Sequence, residues 1–195
     1  MKILLASQSP RRKELLSQLG YQFETVSIDV DESYPSDLLP ENIAEYVSNK
    51  KAQAFKVNQD EILLTSDTIV ALNQKIILKP KNEEEAVEML RNLSGKKHQV
   101  YTAFTIKTFD SEICKTSKTD VEFSEISDDE IRFYIKNYKP FDKAGSYGIQ
   151  EWIGMARIIN ISGSFYSVMG FPVDLVYEEL KKLNCFPENF QNTIL

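Results

Sequence analysis

Histidine and cysteine are scarce in this sequence of 195 residues. It contains one histidine, His98, and two cysteines, Cys114 and Cys185, which lie far apart along the chain. So few nitrogen and sulfur ligands exclude a histidine-rich zinc site and argue against a Ser-His catalytic triad. We expect both cysteines to be free thiols, with a disulfide between them as the alternative. Any chemistry must therefore rest on carboxylates, lysines and arginines.

Long apolar segments are also missing. No run approaches the roughly 20 residues that span a bilayer, and the apolar start at residues 2–6 is too short for a signal peptide. We therefore expect a cytoplasmic protein with no membrane partner. The net charge of −6 argues against a stable nucleic-acid complex, because binding to a nucleic-acid backbone needs a basic excess. A local cluster of Arg11, Arg12 and Lys13 instead favours a small anionic ligand.

Helical and strand-like patterns alternate along the chain without linkers, repeats or low-complexity tracts. This predicts a mixed α/β fold in a single domain, 1–195, with no internal boundary visible in the composition. The strands are expected at residues 2–6, 21–28, 61–72, 76–78, 100–109, 113–123 and 156–161. The helices are expected at residues 9–19, 40–57, 82–94, 127–139 and 173–183.

The segment from Ser7 to Arg12 joins the first strand to the first helix. Free backbone N–H groups and the helix dipole make such a helix start attractive to anions. Arginines in the first turn oppose the dipole, and a bound phosphate chain would relieve that mismatch. A solvated basic patch would give the same sequence, so both interpretations stay open here.

Two charged residues interrupt apolar patterns. Lys51 falls near the centre of the apolar stripe of the second helix, where it needs a partner or a ligand unless it extends to water. Asp67 lies inside the strand 61–72, which suggests a cleft, a metal site or a general base, or else a local hydrogen bond at a bulge.

Lys79 could fold back to the same cleft. The acidic loop 29–32 could supply oxygen ligands for Mg²⁺.

Taken together, these segments resemble the Maf family of nucleotide pyrophosphatases, in consistent order and nearly from end to end. The matching segments are SQSPRRKELL at 7–16, DE at 31–32, NKKAQA at 49–54, SDTIVA at 66–71, LKP at 78–80, LSGKKHQVYTAF at 93–104, DKAGSYGIQ at 142–150 and GSFYSVMGFPV at 163–173.

The resemblance implies an elongated α/β structure with a mixed sheet and a cleft between two lobes, related in shape to the inosine triphosphate pyrophosphatases. It also implies hydrolysis of a nucleoside triphosphate to a monophosphate and pyrophosphate, with a divalent cation, Mg²⁺ or Mn²⁺, as cofactor. Asp67 is then the proton acceptor, and Glu32 joins it at the metal. The implied substrate-binding residues are Ser7, Arg12, Lys51 and Lys79, together with Arg11, Thr68 and Gln150 for substrate preference.

The segment DKAGSYGIQ resembles the family branch that acts on dTTP and UTP. The amide of Gln150 could pair with the edge of uracil or thymine. Tyr147 and Trp152 are candidate walls of the base pocket, or else plain core residues. Departures from the usual family pattern occur at Ser66, at 151–153 and at Ser167. A purine-type pyrophosphatase, acting on 7-methyl-GTP or inosine triphosphate, and a nucleotide-binding regulator of cell division without turnover are the alternatives. A homodimer is left open.

Overall fold

A computed structural model describes residues 1–188, so the last positions of the expected domain, 189–195, lie outside the described residues. Strands and helices alternate along the chain as the sequence predicts. The strands are β1 (Lys2–Leu5), β2 (Phe23–Thr25), β3 (Glu61–Leu72), β4 (Lys75–Ile77), β5 (Lys97–Lys107), β6 (Glu112–Phe123) and β7 (Ile158–Ser162). The helices are α1 (Pro10–Gln18), α2 (Pro40–Gln53), α3 (Glu83–Leu93), α4 (Asp128–Tyr138), α5 (Trp152–Arg157), α6 (Phe165–Met169) and α7 (Val173–Lys182).

The strands form one mixed sheet, which confirms the predicted fold class. Its order is β2-β1-β3-β5-β6-β7, with β4 paired to β3 outside this path. β1 runs parallel to both β2 and β3, and the remaining pairs are antiparallel. Within residues 1–188, no helix is both long and apolar enough to cross a bilayer.

The long strand β3 extends beyond the end of its neighbour β1. β1 pairs with β3 only as far as Leu5, opposite Leu64, and β4 takes over from Val70. Along the described part of the chain, no strand therefore covers this side of β3 between 65 and 69. The break opens the sheet edge at the polar residues in the middle of β3.

Helices cover both faces of the sheet. α1 and α7 pack on the face that carries Ile62 and Leu64. α2 packs on the opposite face against Ile69 and Ala71, because successive residues of a strand point to opposite sides. A further cluster joins α3, α4 and α5 to Ile149 and its neighbours. The break in strand pairing along the edge of β3, at residues 65–69, is thus flanked by α1 on one face and by α2 on the other.

Several element boundaries differ from the predicted ones. β2 ends at Thr25 rather than residue 28 because its partner β1 ends at Leu5, after which the chain leaves the sheet. α2 ends at Gln53 rather than residue 57, where the Lys107 ammonium donates to the carbonyls of Ala52 and Phe55. Such a cation satisfies carbonyls that a continuing helix would use.

The region after residue 150 contains two short helices that the sequence analysis missed. Residues 156 and 157, expected in a strand, close α5 instead, and β7 begins only at residue 158. α6 occupies residues 165–169.

Both cysteines are free thiols, as expected.

Candidate active site

A cavity of about 620 Å³ lies beside the unpaired edge of β3 at residues 65–69. Its volume is within the range of roughly 300–1,000 Å³ that is usual for small-molecule sites. The structure brings every predicted site residue to its wall. These residues are Ser7, Arg11, Arg12, Glu32, Lys51, Asp67, Thr68, Lys79 and Gln150.

The alternation of β3 distributes Asp67 and Thr68 between the flanking helices. Asp67 points to the face covered by α2, where Lys51 donates to its Oδ1 at 2.9 Å. Thr68 points to the face covered by α1, where Arg12 donates to its hydroxyl at 3.2 Å. Ser66, fully buried beside them, donates to the carbonyl of Ala103 at 2.7 Å. Thr65, also fully buried, donates to the carbonyl of Ser48 at 2.8 Å, so each of the four polar residues at 65–68 has a partner.

Lys51 bridges two carboxylates. Its ammonium lies 2.9 Å from Asp67 Oδ1 and 2.9 Å from Glu32 Oε1. The Lys51 and Asp67 side chains are 12% and 15% exposed, whereas that of Glu32 is 56% exposed. Lys51, which lies in the apolar stripe of α2 and needs a polar partner there, is thus paired with two carboxylates. Its ammonium does not extend freely to water.

The same two carboxylates define where a divalent cation could bind. Oxygens of Glu32 and Asp67 face a common point, and hard oxygen donors suit Mg²⁺ and Mn²⁺. Within residues 1–188, no cluster of three or more His, Cys, Asp or Glu side chains could hold a metal. The residues therefore fit a metal that takes one or two protein carboxylates and completes its coordination with water and substrate oxygens.

Arg12 donates most of its hydrogen bonds to other atoms of the protein. Besides Thr68, it donates to the carbonyl of Ser66 at 2.8 Å, to that of Gly170 at 2.8 Å and to the Ser7 hydroxyl at 3.4 Å. Burial lowers the pKa of Arg12, and the Asp67 charge opposes that shift; an arginine nevertheless stays protonated in proteins. Few of its donors remain for a ligand.

Arg11 and Lys79 are the more available cations. Arg11 donates to Asp142 Oδ2 at 2.7 Å and to the carbonyl of Met169 at 3.3 Å. Burial alone would raise the pKa of Asp142, but hydrogen bonds from Lys143 and Arg11 outweigh it, so the net shift is downward. Lys79 is exposed at the cavity wall.

Gln150 presents an unsatisfied acceptor. Its Oε1 is buried and has no hydrogen-bond partner among the described residues, and a buried polar atom without a partner is costly. Because Gln150 also lines the cavity, a ligand N–H is the partner that would satisfy this oxygen.

Of the two aromatic residues expected beside Gln150, only one reaches the cavity. Tyr147 lines it, and the Tyr147 hydroxyl lies 2.7 Å from Nε2 of the buried His98. Trp152 does not line the cavity. It packs edge-on against Phe133 of α4, with the ring centroids 4.9 Å apart, so its expected role as a pocket wall is wrong.

Lys143 and Asp142 also line the cavity, and neither was a predicted site residue. Lys143 is 8% exposed, and its ammonium lies 2.8 Å from Asp142 Oδ1 and 3.1 Å from Glu151 Oε1. Their position at the start of the segment that ends in Gln150 was the available signal. An adjacent acid and base in a loop, however, is usually a solvated pair, so no local pattern indicated that the Lys143 ammonium would be buried.

Comparisons with known proteins identify the family of this chain. A family model described as Maf-like protein matches residues 2–183. A protein of Bacteroides thetaiotaomicron named dTTP/UTP pyrophosphatase is 51% identical over 93% of this chain and 96% of its own length. Proteins of the same name are 47% identical in Porphyromonas gingivalis, over 92% of this chain and 93% of theirs, and 44% identical in Flavobacterium johnsoniae, over 93% and 95%.

Among solved structures, a nucleoside-triphosphatase / dITP/XTP pyrophosphatase from Mycobacterium abscessus aligns over 94% of this chain and 97% of its own, with 15% identity and a TM-score of 0.43. The assignment rests on the family model and the sequence relatives, which span nearly the whole chain. This chain belongs to the family of Maf-like proteins.

Proposed function

We propose that this protein is a nucleoside triphosphate pyrophosphatase that hydrolyses dTTP and UTP to the nucleoside monophosphate and pyrophosphate. The observation that carries the proposal is the convergence of Asp67, its cationic neighbours and the unpartnered Gln150 oxygen on one cavity. Relatives that are 44–51% identical and carry the name dTTP/UTP pyrophosphatase support the choice of substrate.

Asp67 is the proton acceptor in this account. Its carboxylate is largely shielded from solvent and lies at the break in the sheet edge, where a water can approach. The water oxygen attacks the α-phosphorus, one water proton passes to Asp67, and the bond to the bridging oxygen breaks to release pyrophosphate. Positioned general bases contribute on the order of 10²–10⁴-fold to such steps.

The cations hold the phosphate chain and stabilise the leaving group. Lys51, Lys79 and Arg11 reach the cavity from three different segments, so they can surround a triphosphate. The start of α1 adds its backbone N–H groups and helix dipole. Arg12 contributes mainly by fixing Thr68 and the backbone at Gly170. Electrostatic stabilisation of this kind dominates phosphoryl transfer.

Glu32 and Asp67 would hold a divalent cation, Mg²⁺ or Mn²⁺, which when bound withdraws charge from the phosphates. The ammonium of Lys51 now lies between these two carboxylates. Release of one carboxylate from Lys51 would therefore accompany metal binding, and the freed ammonium is then available to the phosphate chain.

Gln150 gives the base preference. Its amide offers an acceptor and a donor, which match N3–H and O4 of uracil or thymine. A site whose buried polar group depends on the ligand rejects ligands that leave it unpaired. Tyr147, held by His98, restricts the space beside the amide.

Pyrophosphate release across common and modified triphosphates, with identification of both products, tests the proposal. We expect dTTP and UTP to give the highest kcat/KM, monophosphate and pyrophosphate as the products, and no turnover in excess EDTA. Preference for 7-methyl-GTP or inosine triphosphate would overturn the base assignment. Tight nucleotide binding without turnover would instead favour a regulator, and release of inorganic phosphate would exclude cleavage at the α-phosphorus.

A further inference from the structure

Glu151 directly follows Gln150 in the chain. It occupies the N-cap position of α5 but makes no side-chain capping bond there. Its side chain is only 17% exposed. A carboxylate that is mostly buried without capping its helix needs other partners.

Those partners connect Glu151 to the cavity wall. Its Oε1 lies 3.1 Å from the Lys143 ammonium, and its Oε2 accepts a hydrogen bond from the hydroxyl of Tyr134. Tyr134 is fully buried in α4, and the same hydroxyl accepts a hydrogen bond from the backbone N–H of Gly148 at 2.9 Å. Glu151 is thus linked to the backbone three residues before it through a residue of another helix.

Gly148 is shaped to receive this carboxylate. A Cβ atom at position 148 would lie 2.7 Å from Cδ and 2.8 Å from Oε2 of Glu151, closer than non-bonded atoms approach. The absent side chain of Gly148 therefore makes room for Glu151, and the space at its Cα is not left open for a base.

We infer that Glu151 is a positioning residue for base recognition, which fixes the segment 147–150 through Tyr134 and holds Lys143 at the cavity wall. The inference rests on the proposed function. Tyr147, Gly148 and Gln150 all line the cavity, and Glu151 lies behind them. Since the Gln150 amide must meet a flat base edge, its useful orientation depends on this anchored backbone.

A carboxylate suits position 151 because both of its oxygens face donors, Oε1 the Lys143 ammonium and Oε2 the Tyr134 hydroxyl. A glutamine in its place has one amide oxygen, and its NH₂ group would face either the Lys143 ammonium or the Tyr134 hydroxyl. That hydroxyl remains a donor, because burial, followed by the hydrogen bond to Glu151, raises the pKa of Tyr134. With the NH₂ group toward Lys143 the ion pair is lost, and with it toward Tyr134 the phenol O–H loses its acceptor.

Glu151→Gln and Tyr134→Phe test this role, with two ligands that separate the base from the phosphates. dTMP carries the base, and inorganic tripolyphosphate carries only the phosphate chain. We expect each variant to weaken dTMP binding on the order of tenfold, as for loss of a charge-assisted hydrogen bond. Tyr134→Phe should change tripolyphosphate binding less than about twofold, whereas Glu151→Gln removes a negative charge beside the Lys143 ammonium and should not weaken it. KM for dTTP should rise more than kcat falls.

Glu130→Gln is the matched control. Glu130 pairs with Arg157 at the end of α5 and completes the capping box at the start of α4, so its loss lowers stability in the same region without touching segment 147–150. It should lower Tm and leave dTMP affinity unchanged. Tyr134→Phe removes only a hydroxyl, which keeps the test valid if Glu151→Gln folds poorly.

Unchanged dTMP affinity in folded Glu151→Gln or Tyr134→Phe, or equal losses for dTMP and tripolyphosphate, would overturn the positioning role while the proposed function stands. If the wild-type protein binds dTMP no more tightly than GMP, the pyrimidine preference itself is wrong and the inference falls with it.

Discussion

The ammonium of Lys51 lies 2.9 Å from Oδ1 of Asp67, and both side chains are largely shielded from solvent. The proposed general base is therefore held by a cation from α2 across the break in the sheet edge. Glu32 shares the same ammonium, so one lysine pairs with both carboxylates assigned to the metal.

Replacement of Lys51 by methionine should separate its two roles. Without nucleotide, Mn²⁺ affinity should rise roughly fivefold or more, because a competing unit charge about 4 Å away contributes at least about 1 kcal/mol. Turnover of dTTP should fall on the order of 10²-fold, since a phosphate-stabilising donor is lost. Titration calorimetry with Mn²⁺ and steady-state kinetics measure the two effects.

Lys50→Met is the control for this change, because Lys50 lies one residue away and, within residues 1–188, its ammonium pairs with Asp31, Ser33 and the Tyr46 ring instead. Turnover should survive that substitution. Equal Mn²⁺ affinity in Lys51→Met and the wild type would show that Glu32 and Asp67 are not the metal ligands.

Replacement of Gln150 by glutamate should weaken recognition of the base and leave binding of the phosphate chain unchanged. A carboxylate keeps the acceptor but removes the donor and adds a charge beside the base. We expect kcat/KM for dTTP to fall on the order of 10²-fold or more, with little change for a poor substrate such as GTP. Parallel kinetics on both triphosphates provide the internal control. Equal losses would assign Gln150 to the fold or to the phosphates.

His98 predicts a pH dependence of stability. Its ring is fully buried and stacks on Phe123 at 5.5 Å. Burial lowers the pKa of His98 from 6.5 to about 4, and the Asp120 charge opposes this only weakly. Between these values the unfolded chain binds a proton that the folded protein does not, so the free energy of unfolding falls as pH decreases from about 6.5 to about 4, by on the order of 3 kcal/mol.

Urea unfolding of wild-type protein and His98→Gln, between pH 7 and pH 4.5, measures this contribution. Glutamine does not titrate and can retain a hydrogen bond to Tyr147. The variant should be less stable at pH 7 but should lose less stability on acidification. Parallel pH profiles for the two proteins would mean that other groups cause the acid sensitivity.

The sequence located the central residues of the site because their patterns conflict with ordinary packing. A carboxylate at Asp67 interrupts an apolar strand, and Lys51 interrupts an apolar helix face. Each requires a polar partner when buried, and the structure shows that they partner one another. The acidic loop 29–32 was a candidate for metal ligands from its composition; family resemblance singled out Glu32 within it and added the roles of Thr68 and Gln150.

The remaining features depend on contacts that no local pattern encodes. Arg12 is held by the carbonyls of Ser66 and Gly170, and a backbone acceptor leaves no signature in the sequence. The link from Glu151 through Tyr134 to Gly148 requires α4 to pack beside the loop. α5 and α6 are also too short for helical periodicity to show.

The most direct test of the account is the single-turnover rate of dTTP hydrolysis by Asp67→Asn at saturating Mg²⁺ and nucleotide. Asparagine preserves the size of the side chain but cannot accept the proton. We predict a rate reduced on the order of 10²–10⁴-fold, with dTTP still bound and the fold intact by circular dichroism. A rate close to that of the wild-type protein would contradict the assignment of Asp67 as the proton acceptor.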